Sequence, residues 1–547
     1  MKYTFSLPNP VSQLLYIQLK LECKKGETMQ LQLPSWRPGR YEKANYAQFI
    51  KSLSVAGPNA PVRCEKKTGD LWEFLAEENG PHSINYFYHA AQMDAGGSWV
   101  DAEQVYINFI NLAFSIRGRE EETIEVSLDL PDNYRLACAL PQLAKNLLQA
   151  KNFQVLVDSP LIASPKLQHR MYAVNDSSFH IWVSGKVFFD WENTLSVFSN
   201  FTKAQIADFG EFPAGDYHFL IHLLPFSHYH GVEHKYSTVI TIGTDESLGR
   251  KEGWNRLIGV CSHELYHFWN VCRIRPKALL PYDFSVEGFF SEGLLAEGVT
   301  SFMGDFYLLK SGHLSVAEYL LLLEKLFERA FENLGWENQS IAASSWDLWL
   351  DGYKAGVPDK KVSIYTHGAL ITLALDLLLI QNGHRMHEAM RQMWEKYGRT
   401  QKGYNIEDFK SIVTSLANNR ADISSFFARF VYGTADLYPL LEKLLPTIGL
   451  QVRKIAKKDR WETAYGIKVN SKGEVLKIHP RSMAYEQMMI GDRIFSYQLS
   501  GEGLHLKFDR RKSEMEVFLS SSDKMYYADY KITLAGSEAA FSEFINS

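Results

Sequence analysis

The chain of 547 residues has few cysteines and little excess charge. Its five cysteines (Cys23, Cys64, Cys138, Cys261 and Cys272) form no CxxC pair, which predicts reduced thiols rather than a disulfide framework. The formal net charge of −5 is small for this length, so nucleic acid is not an expected partner. The sequence also contains no internal repeat and no low-complexity segment.

Long hydrophobic runs are lacking as well. The most apolar segment, residues 369–380, is short and contains Asp376, so it predicts a buried helix and no membrane partner. Residues 1–8 include no apolar stretch of signal-peptide length, which predicts a cytoplasmic protein. An exported protein whose signal had been removed would show the same pattern.

The composition is that of a globular protein with sizeable cores. Hydrophobic residues make up 46% of the chain and charged residues 22%. A length of 547 residues exceeds that of one ordinary domain and suggests about three.

The hydrophobic periodicity changes twice along the chain. Residues 1–155 favour strands, because segments such as 16–21 and 123–128 alternate apolar and polar residues. Residues 156–450 begin with strands at 217–224 and 238–243 and then become helical, with i, i+3, i+4 spacing at 319–330 and 368–380. Residues 451–547 return to short strands. The pattern predicts a multidomain α+β protein with a β-rich N-terminal domain, a mainly helical middle domain and a small C-terminal β domain.

One motif in the middle domain has the spacing of metal ligands. His263, Glu264 and His267 form an HExxH sequence, and on a helix positions i and i+4 lie on one face, so both imidazoles can reach one ion. Bound zinc lowers the pKa of a water molecule toward ~7, and Glu264 is placed to take its proton. The alternative is a surface helix with solvated side chains. The apolar neighbours Leu257 and Phe268 argue against it.

A third metal ligand is required, and the residues alone leave two candidates. Glu292 and Glu297 are each followed by glycine, and spacing does not separate them. Between the two segments, the stretch from Arg273 to Pro276 predicts the end of the HExxH helix, because proline cannot continue it.

Residues 263–276, HELYHFWNVCRIRP, resemble the glycyl aminopeptidase family of metallopeptidases (metallopeptidase family 61), whose pattern is close to HExxHxWNVxRIRP. Residues 33–41, LPSWRPGRY, resemble the family's LPSWxPGxY segment, to which we assign no catalytic role. The resemblance implies a Zn²⁺ peptidase of the gluzincin type with a thermolysin-like catalytic domain. It also favours Glu297 over Glu292, because residues 296–302 match the family's E-G-x-T run.

Further residue roles follow from the same resemblance. Residues 230–234, HGVEH, stand where relatives have GGLEH, which implies that Glu233 holds the α-ammonium group of a peptide substrate and places Gly231 in the substrate-binding strand. Residues 365–370 resemble the family's Y-x-K-G-A-L segment and imply that Tyr365 donates its hydroxyl to the tetrahedral oxyanion. The alternative interpretations are that Glu233 is an ordinary glutamate of an edge strand and that Tyr365 only packs at the start of a helix.

The C-terminal segment looks like a PDZ domain, on the basis of residues 465–467, 480–485 and 490–494. Met488 and Met489 stand where a Gly-Leu pair is expected. Other departures from the family pattern are His230 for glycine, His367 for lysine, and Leu294-Leu295 for a pair that contains an aromatic residue. None of these departures removes a metal ligand or the base.

The sequence therefore predicts a zinc aminopeptidase that releases small N-terminal residues, glycine or alanine, from peptides. Two alternatives remain open. One is a zinc endopeptidase that lacks the amine anchor. The other is a PDZ-type peptide-binding protein with an inactive zinc site, which the presence of Glu264 disfavours because a structural site needs no general base. The sequence leaves the oligomeric state open.

Overall fold

The structure is a computed structural model that describes residues 1–354, 356–418, 420–535 and 538–546. The chain divides into two compact units, each of which consists of three separate segments of the chain. The first unit comprises Met1–His313, Ser345–Lys354 and Met386–Ser415; the second comprises Leu314–Ser344, Ala355–Arg385 and Leu416–Ser547. The predicted multidomain α+β class, with a β-rich start and a helical middle, is confirmed. The predicted boundaries at residues 155 and 450 stay predictions.

Three sheets form the β-rich start of the first unit, and alternation of apolar residues produces them. In Leu14–Cys23 every second side chain, from Leu15 to Cys23, is buried against one core. The eight-stranded sheet has the order Gln142–Ala144, Leu147–Ala150, Ile124–Asp129, Lys2–Ser6, Leu14–Cys23, Gly80–His89, Ile50–Ala56, Pro61–Val62. The two four-stranded sheets are Arg135–Cys138, Leu161–Ser164, Val105–Ile107, Trp99–Val100 and Ser115–Ile116, Thr28–Gln32, Leu71–Leu75, Cys64–Lys66.

A five-stranded sheet follows and provides one wall of the candidate site. Its order is Gln168–Val174, Ser177–Ser184, Asp216–Leu224, Ser237–Gly243, His228–Glu233. Strand Ser237–Gly243 is buried at every position, and its polar residues are only the small hydroxyl side chains of Ser237, Thr238 and Thr241. His228–Glu233 pairs antiparallel with it and forms the edge of the sheet, so we call it the edge strand.

Helices complete the first unit. The helix Lys251–Tyr266, which carries HExxH, packs on the edge strand and on the helix Thr300–Lys310. The remaining helical segments of this unit are Pro10–Ser12, Tyr46–Phe49, Phe109–Asn111, Phe153–Val157, Trp191–Phe209, Asp245–Gly249, Lys277–Leu279, Leu294–Val299, Leu348–Asp351, Met386–Met393, Trp394–Gly398 and Ile406–Ala417, whose last two residues belong to the second unit.

The predicted end of the HExxH helix was wrong. The helix ends at Tyr266, with His267 as its C-terminal cap, well before Arg273. The chain leaves the helix early because Asn270 forms hydrogen bonds with residues outside this helix. Its side-chain amide donates to the Leu295 carbonyl at 2.7 Å and to the Thr300 hydroxyl at 3.1 Å. Buried side-chain hydrogen bonds therefore end the helix, rather than the proline.

The second unit combines helices with short strands. Its helices are Val316–Glu332, Gly335–Asn338, Thr366–Ile380, Arg420–Phe426, Phe427–Val431, Tyr438–Leu444, Leu445–Ile448, Trp461–Tyr465, Ala484–Gln487 and Glu538–Asn546, and Ile341–Trp346 crosses from this unit into the first. Its strands are Leu450–Ala456, Ile467–Val469, Val475–Ile478, Arg493–Leu499, Gly503–Arg510, Ser513–Ser520 and Ala528–Leu534.

Two further sequence expectations concern thiols and membrane spans. The five cysteines are free thiols, as predicted. Within the described residues, no helix combines the length and the hydropathy needed to cross a membrane.

Candidate active site

Two histidines and a glutamate converge at the end of the HExxH helix. The Nε2 atoms of His263 and His267 lie 3.0 Å apart, and Glu297 Oε2 lies 3.7 Å from the first and 3.5 Å from the second. The side chains of His267 and Glu297 are only 2% and 3% exposed, whereas that of His263 is 22% exposed. One edge of the group therefore borders solvent.

The geometry of these three donors fits a zinc ion. Zn–N and Zn–O bonds of about 2.0–2.1 Å in a tetrahedral arrangement separate the donor atoms by about 3.3 Å. The three observed separations, 3.0, 3.5 and 3.7 Å, bracket that value. Glu297 Oε2 is also buried without a hydrogen-bond partner among the described residues, as expected of an atom that a metal would satisfy.

Close packing between helices fixes the positions of these three side chains. A side chain on Gly304 would meet the Cα of His263 at 3.1 Å, so glycine there allows the two helices to approach. The hydroxyl of Ser262, next to His263, donates to the Gly304 carbonyl at 2.8 Å. Glu297 stands on a π-helical turn, Leu294–Val299, that continues into Thr300–Lys310. Such turns redirect a side chain within a helix and are frequent at functional sites.

Asn270 orients the second histidine, His267, a role that the sequence did not predict. Nδ1 of His267 donates to the Asn270 carbonyl at 2.7 Å, which leaves Nε2 free to act as a metal ligand. The hydrogen bonds that the side-chain amide of Asn270 donates to Leu295 and Thr300 hold that carbonyl in place. The Trp269-Asn270 pair of the family motif could have pointed to Asn270. Only the fold shows that its backbone carbonyl is the atom that accepts the hydrogen bond from His267.

Glu264 lies next to the three candidate metal ligands, His263, His267 and Glu297, but is not one of them. It is 4% exposed, and its Oε2 has no hydrogen-bond partner within the described chain. One of its oxygens, one oxygen of Glu233 and one nitrogen of His267 all lie within 4.8 Å of one another. Its carboxylate fills the space in front of Gly231, where any side chain would collide with it and with Val260. Burial raises the pKa of Glu264.

Glu233, at the end of the edge strand, is a second buried carboxylate in this group. It is 6% exposed, and its Oε1 has no hydrogen-bond partner among the described residues. The turn that contains Gly39 covers it: Gly39 has φ +73°, and a Cβ there would lie 2.5 Å from Glu233 Oε2. Burial raises the pKa of Glu233, although the nearby His267 lowers it. An unpaired carboxylate in this position is suited to a cationic ligand.

The charges of the group are strongly interdependent. Burial lowers the pKa of His267, but the carboxylates of Glu297, Glu233 and Glu264 outweigh that effect and raise it to about 10. Burial raises the pKa of Glu297, yet His267 and His263 bring it down to about 2. Burial also lowers the pKa of His263. Three carboxylates around so few cations favour the binding of a metal ion and of a further cation.

The structure places the other predicted residues as follows. Glu292, the competitor for third ligand, accepts a hydrogen bond from the Ser291 N–H at 2.8 Å and lies outside the group of ligand atoms. Tyr365 immediately precedes the helix Thr366–Ile380 and belongs to the second unit. His367 is buried in the same helix against Phe331.

Family comparisons match two segments of the chain. The Peptidase M61 N-terminal domain matches residues 2–165, and the M61 glycyl aminopeptidase family matches residues 256–371. A search among curated proteins found no match.

Solved structures provide fold neighbours. An aminopeptidase N family protein from Idiomarina loihiensis has a TM-score of 0.91 at 22% identity, with 100% of each chain covered. A variant of the M1 zinc metallopeptidase from Deinococcus radiodurans has a TM-score of 0.50 at 14% identity, covering 80% of this chain and 94% of that one. At these identities the likeness shows the fold. The two family matches, which together cover about half of the chain, place it in the M61 glycyl aminopeptidase family, and the protein is a peptidase.

Proposed function

We propose that this peptidase is a zinc-dependent aminopeptidase that removes a small N-terminal residue, glycine or alanine, from peptides. The observation that carries the proposal is the group formed by His263, His267 and Glu297, with the buried carboxylates of Glu264 and Glu233 beside it. The preference for a small residue rests on the family, whose description is glycyl aminopeptidase.

In this proposal His263, His267 and Glu297 hold the zinc ion. Bound zinc would supply a Lewis acid for the scissile carbonyl and a water molecule of lowered pKa. The donor separations and the nitrogen and oxygen donor set support zinc, and the Deinococcus radiodurans neighbour is described as a zinc metallopeptidase.

Glu264 acts as the general base. Its carboxylate takes a proton from the attacking water and returns it to the leaving amine, a shuttle that one carboxylate can complete within hydrogen-bond reach. Burial raises its pKa, which makes it a stronger base than an exposed glutamate. A purely structural zinc site has no use for such a group.

Glu233 and the edge strand position the substrate. The buried carboxylate of Glu233 pairs with the α-ammonium group and so sets the cleavage point one residue from the N-terminus. The edge strand offers backbone groups to an extended peptide, and Gly231 leaves the strand close to Glu264. By resemblance to the family, Tyr365 donates its hydroxyl to the oxyanion.

Hydrolysis of aminoacyl-p-nitroanilides tests the proposal. We expect cleavage of free glycyl and alanyl substrates, no cleavage of their N-acetyl forms, and loss of activity with a zinc chelator. The Glu233→Gln variant should lose about 10- to 100-fold in kcat/KM on free-amine substrates, because a charge-assisted hydrogen bond is removed. Glu292→Gln, which changes a buried glutamate outside the group, is the matched control and should retain activity.

Cleavage of N-acetylated substrates would instead indicate an endopeptidase. Absence of cleavage with every substrate would favour the peptide-binding alternative. We further propose, on the sequence pattern, that residues 451–547 form a PDZ-like domain.

A further inference from the structure

A buried arginine lies close to the amine anchor and has no role in the proposal above. Arg37 is 4% exposed. Its guanidinium donates to the Pro38 carbonyl at 3.1 Å and to Nε2 of His230 at 3.3 Å. Among the residues that the structure describes, no carboxylate oxygen lies within 4.0 Å of it. Burial raises the pKa values of Glu233 and Glu264 and the Arg37 charge lowers both, so Arg37 interacts with these carboxylates at longer range. A buried guanidinium with no carboxylate in direct contact still suits an anionic ligand.

The turn that carries Arg37 also covers Glu233. The turn is closed by the hydrogen bond from the Arg40 N–H to the Arg37 carbonyl at 3.3 Å, and Gly39 within it packs on the Glu233 carboxylate. The Arg37 side chain leaves the same turn and lies flat against Gly96, where any side chain would collide with it. One short turn therefore places a cation and a glycine next to the same edge strand.

His230 holds the guanidinium in place. Since a guanidinium only donates, Nε2 of His230 is the acceptor, and its protonated Nδ1 faces Asp94 Oδ1 at 3.8 Å. The His230 and Asp94 side chains are 27% and 33% exposed, so this end of the cluster borders solvent. The sequence has arginine at the first of the two variable positions of LPSWxPGxY and histidine at the first position of HGVEH, and the fold brings these two residues together.

The spacing along the edge strand matches a short peptide. His230 and Glu233 are three residues apart, roughly 10 Å along an extended strand, and their side chains point to opposite faces of the sheet. The turn from Arg37 to Arg40 contacts both, because Arg37 bonds to His230 and Gly39 lies against Glu233. An extended di- or tripeptide has its C-terminal carboxylate roughly 7–10 Å from its α-amino group. With the amine on Glu233, a carboxylate near the second or third residue of the substrate would reach Arg37.

We propose that Arg37, held by His230, is a carboxylate-binding subsite, so that the preferred substrates are short peptides bearing a carboxylate close to the scissile bond. The inference deepens the proposed aminopeptidase function and rests on it. The carboxylate has two sources, the free C-terminus of a di- or tripeptide or an acidic side chain after the cleaved residue. His230 is a positioning residue that acts through Arg37.

Paired substrates test the subsite. Ala-Ala-Ala is compared with its C-terminal amide, and Ala-Glu-Ala-amide with Ala-Gln-Ala-amide. We expect wild-type kcat/KM to favour the carboxylate member of one pair by about 10- to 100-fold, and that pair identifies the source. Arg37→Gln should remove the preference. Arg40→Gln, in the same turn but paired with Glu42, should keep it. Equal rates within both wild-type pairs, or a preference that survives Arg37→Gln, overturn the proposal.

His230→Gly tests positioning separately. We expect KM to rise for the favoured carboxylate substrate with kcat unchanged, and we expect the amide partner to keep its KM. A fall in kcat for both members would mean that His230 is merely structural.

Binding distinguishes failure of the subsite from failure of the proposed function. Calorimetric binding of Ala-Ala-Ala and its amide is measured on the Glu264→Gln protein and on the Arg37→Gln Glu264→Gln double variant. A carboxylate preference that Arg37→Gln removes supports the subsite even if the wild type hydrolyses no peptide. Equal binding of both peptides overturns it even if the enzyme is an active aminopeptidase.

Discussion

Glu264 follows His263 directly in the chain, yet the two side chains have different surroundings. His263 faces His267 and Glu297, whereas the Glu264 carboxylate lies against Gly231 of the edge strand. One residue of offset on the helix thus separates the proposed metal ligand from the proposed proton acceptor.

Replacement of Glu264 by glutamine should abolish turnover without releasing the metal. We expect kcat/KM on an alanyl anilide to fall about 10²- to 10⁴-fold, the usual contribution of a general base, because the amide cannot take up a proton. Zinc content, measured by atomic emission, should stay at one ion per chain. The control is Glu252→Gln at an exposed position in the first turn of the same helix. Retained turnover in Glu264→Gln would refute the assignment of the base.

His222 makes the first unit sensitive to acid. It is 1% exposed, packs on the ring of Tyr106, and its burial lowers its pKa to about 3, against 6.5 in an unfolded chain. Below pH 6.5 the unfolded state therefore binds a proton that the folded state does not, and the free energy of unfolding decreases as the pH falls.

From pH 7 to pH 5 this residue should cost about 2 kcal/mol of unfolding free energy. His222→Gln, which does not titrate, should lose about that much less over the same interval in urea unfolding. The exposed residue His89 provides the control variant His89→Gln, which should follow the wild type. An unchanged pH dependence in His222→Gln would contradict the prediction.

At the scale of elements, the site depends on how closely a turn and a strand approach each other. Gly39 and Gly231 are in separate sequence motifs, and each lies against one of the two buried carboxylates. Their lack of a side chain, rather than any chemistry of their own, lets the turn and the edge strand enclose Glu233 and Glu264.

Gly39→Ala should displace the Glu233 carboxylate. The new methyl group would lie 2.5 Å from Oε2, and φ +73° is unfavourable for alanine. We expect about a 10- to 100-fold loss of kcat/KM on free-amine substrates. Gly26→Ala is the matched control, because Gly26 has φ +85° but no neighbour within 4 Å. If both variants lost activity equally, backbone strain and not displacement of Glu233 would be the cause.

For the whole molecule, the expected zinc ligands all belong to the first unit. Metal removal should therefore loosen that unit locally. With free zinc at about 1,000 times its dissociation constant, binding adds about 4 kcal/mol to the stability of the folded state. Hydrogen exchange should increase after chelation in Lys251–Tyr266 and Leu294–Val299, and should stay the same in Gly503–Arg510 of the second unit. Unchanged exchange in the HExxH helix would argue against zinc binding there.

The sequence predicted several elements because their local patterns match their environments. The strand predicted at 16–21 is part of Leu14–Cys23, and the helix predicted at 368–380 is Thr366–Ile380. In both cases the period of apolar residues matches the geometry of a surface that is buried on one side or on all sides. The end of the HExxH helix was missed because Asn270 bonds to residues that are distant in sequence.

The sequence by itself determined the family and the metal-binding motif. HExxH has its meaning within one helical turn, and its long extension is specific to the family. The family resemblance also favoured Glu297 over Glu292, and in the structure Glu297 lies beside the histidines. Only the tertiary structure decided that Gly39 covers Glu233 and that Arg37 meets His230. These contacts join residues far apart in the chain, and local periodicity carries no information about distant pairs. Packing in three dimensions sets them.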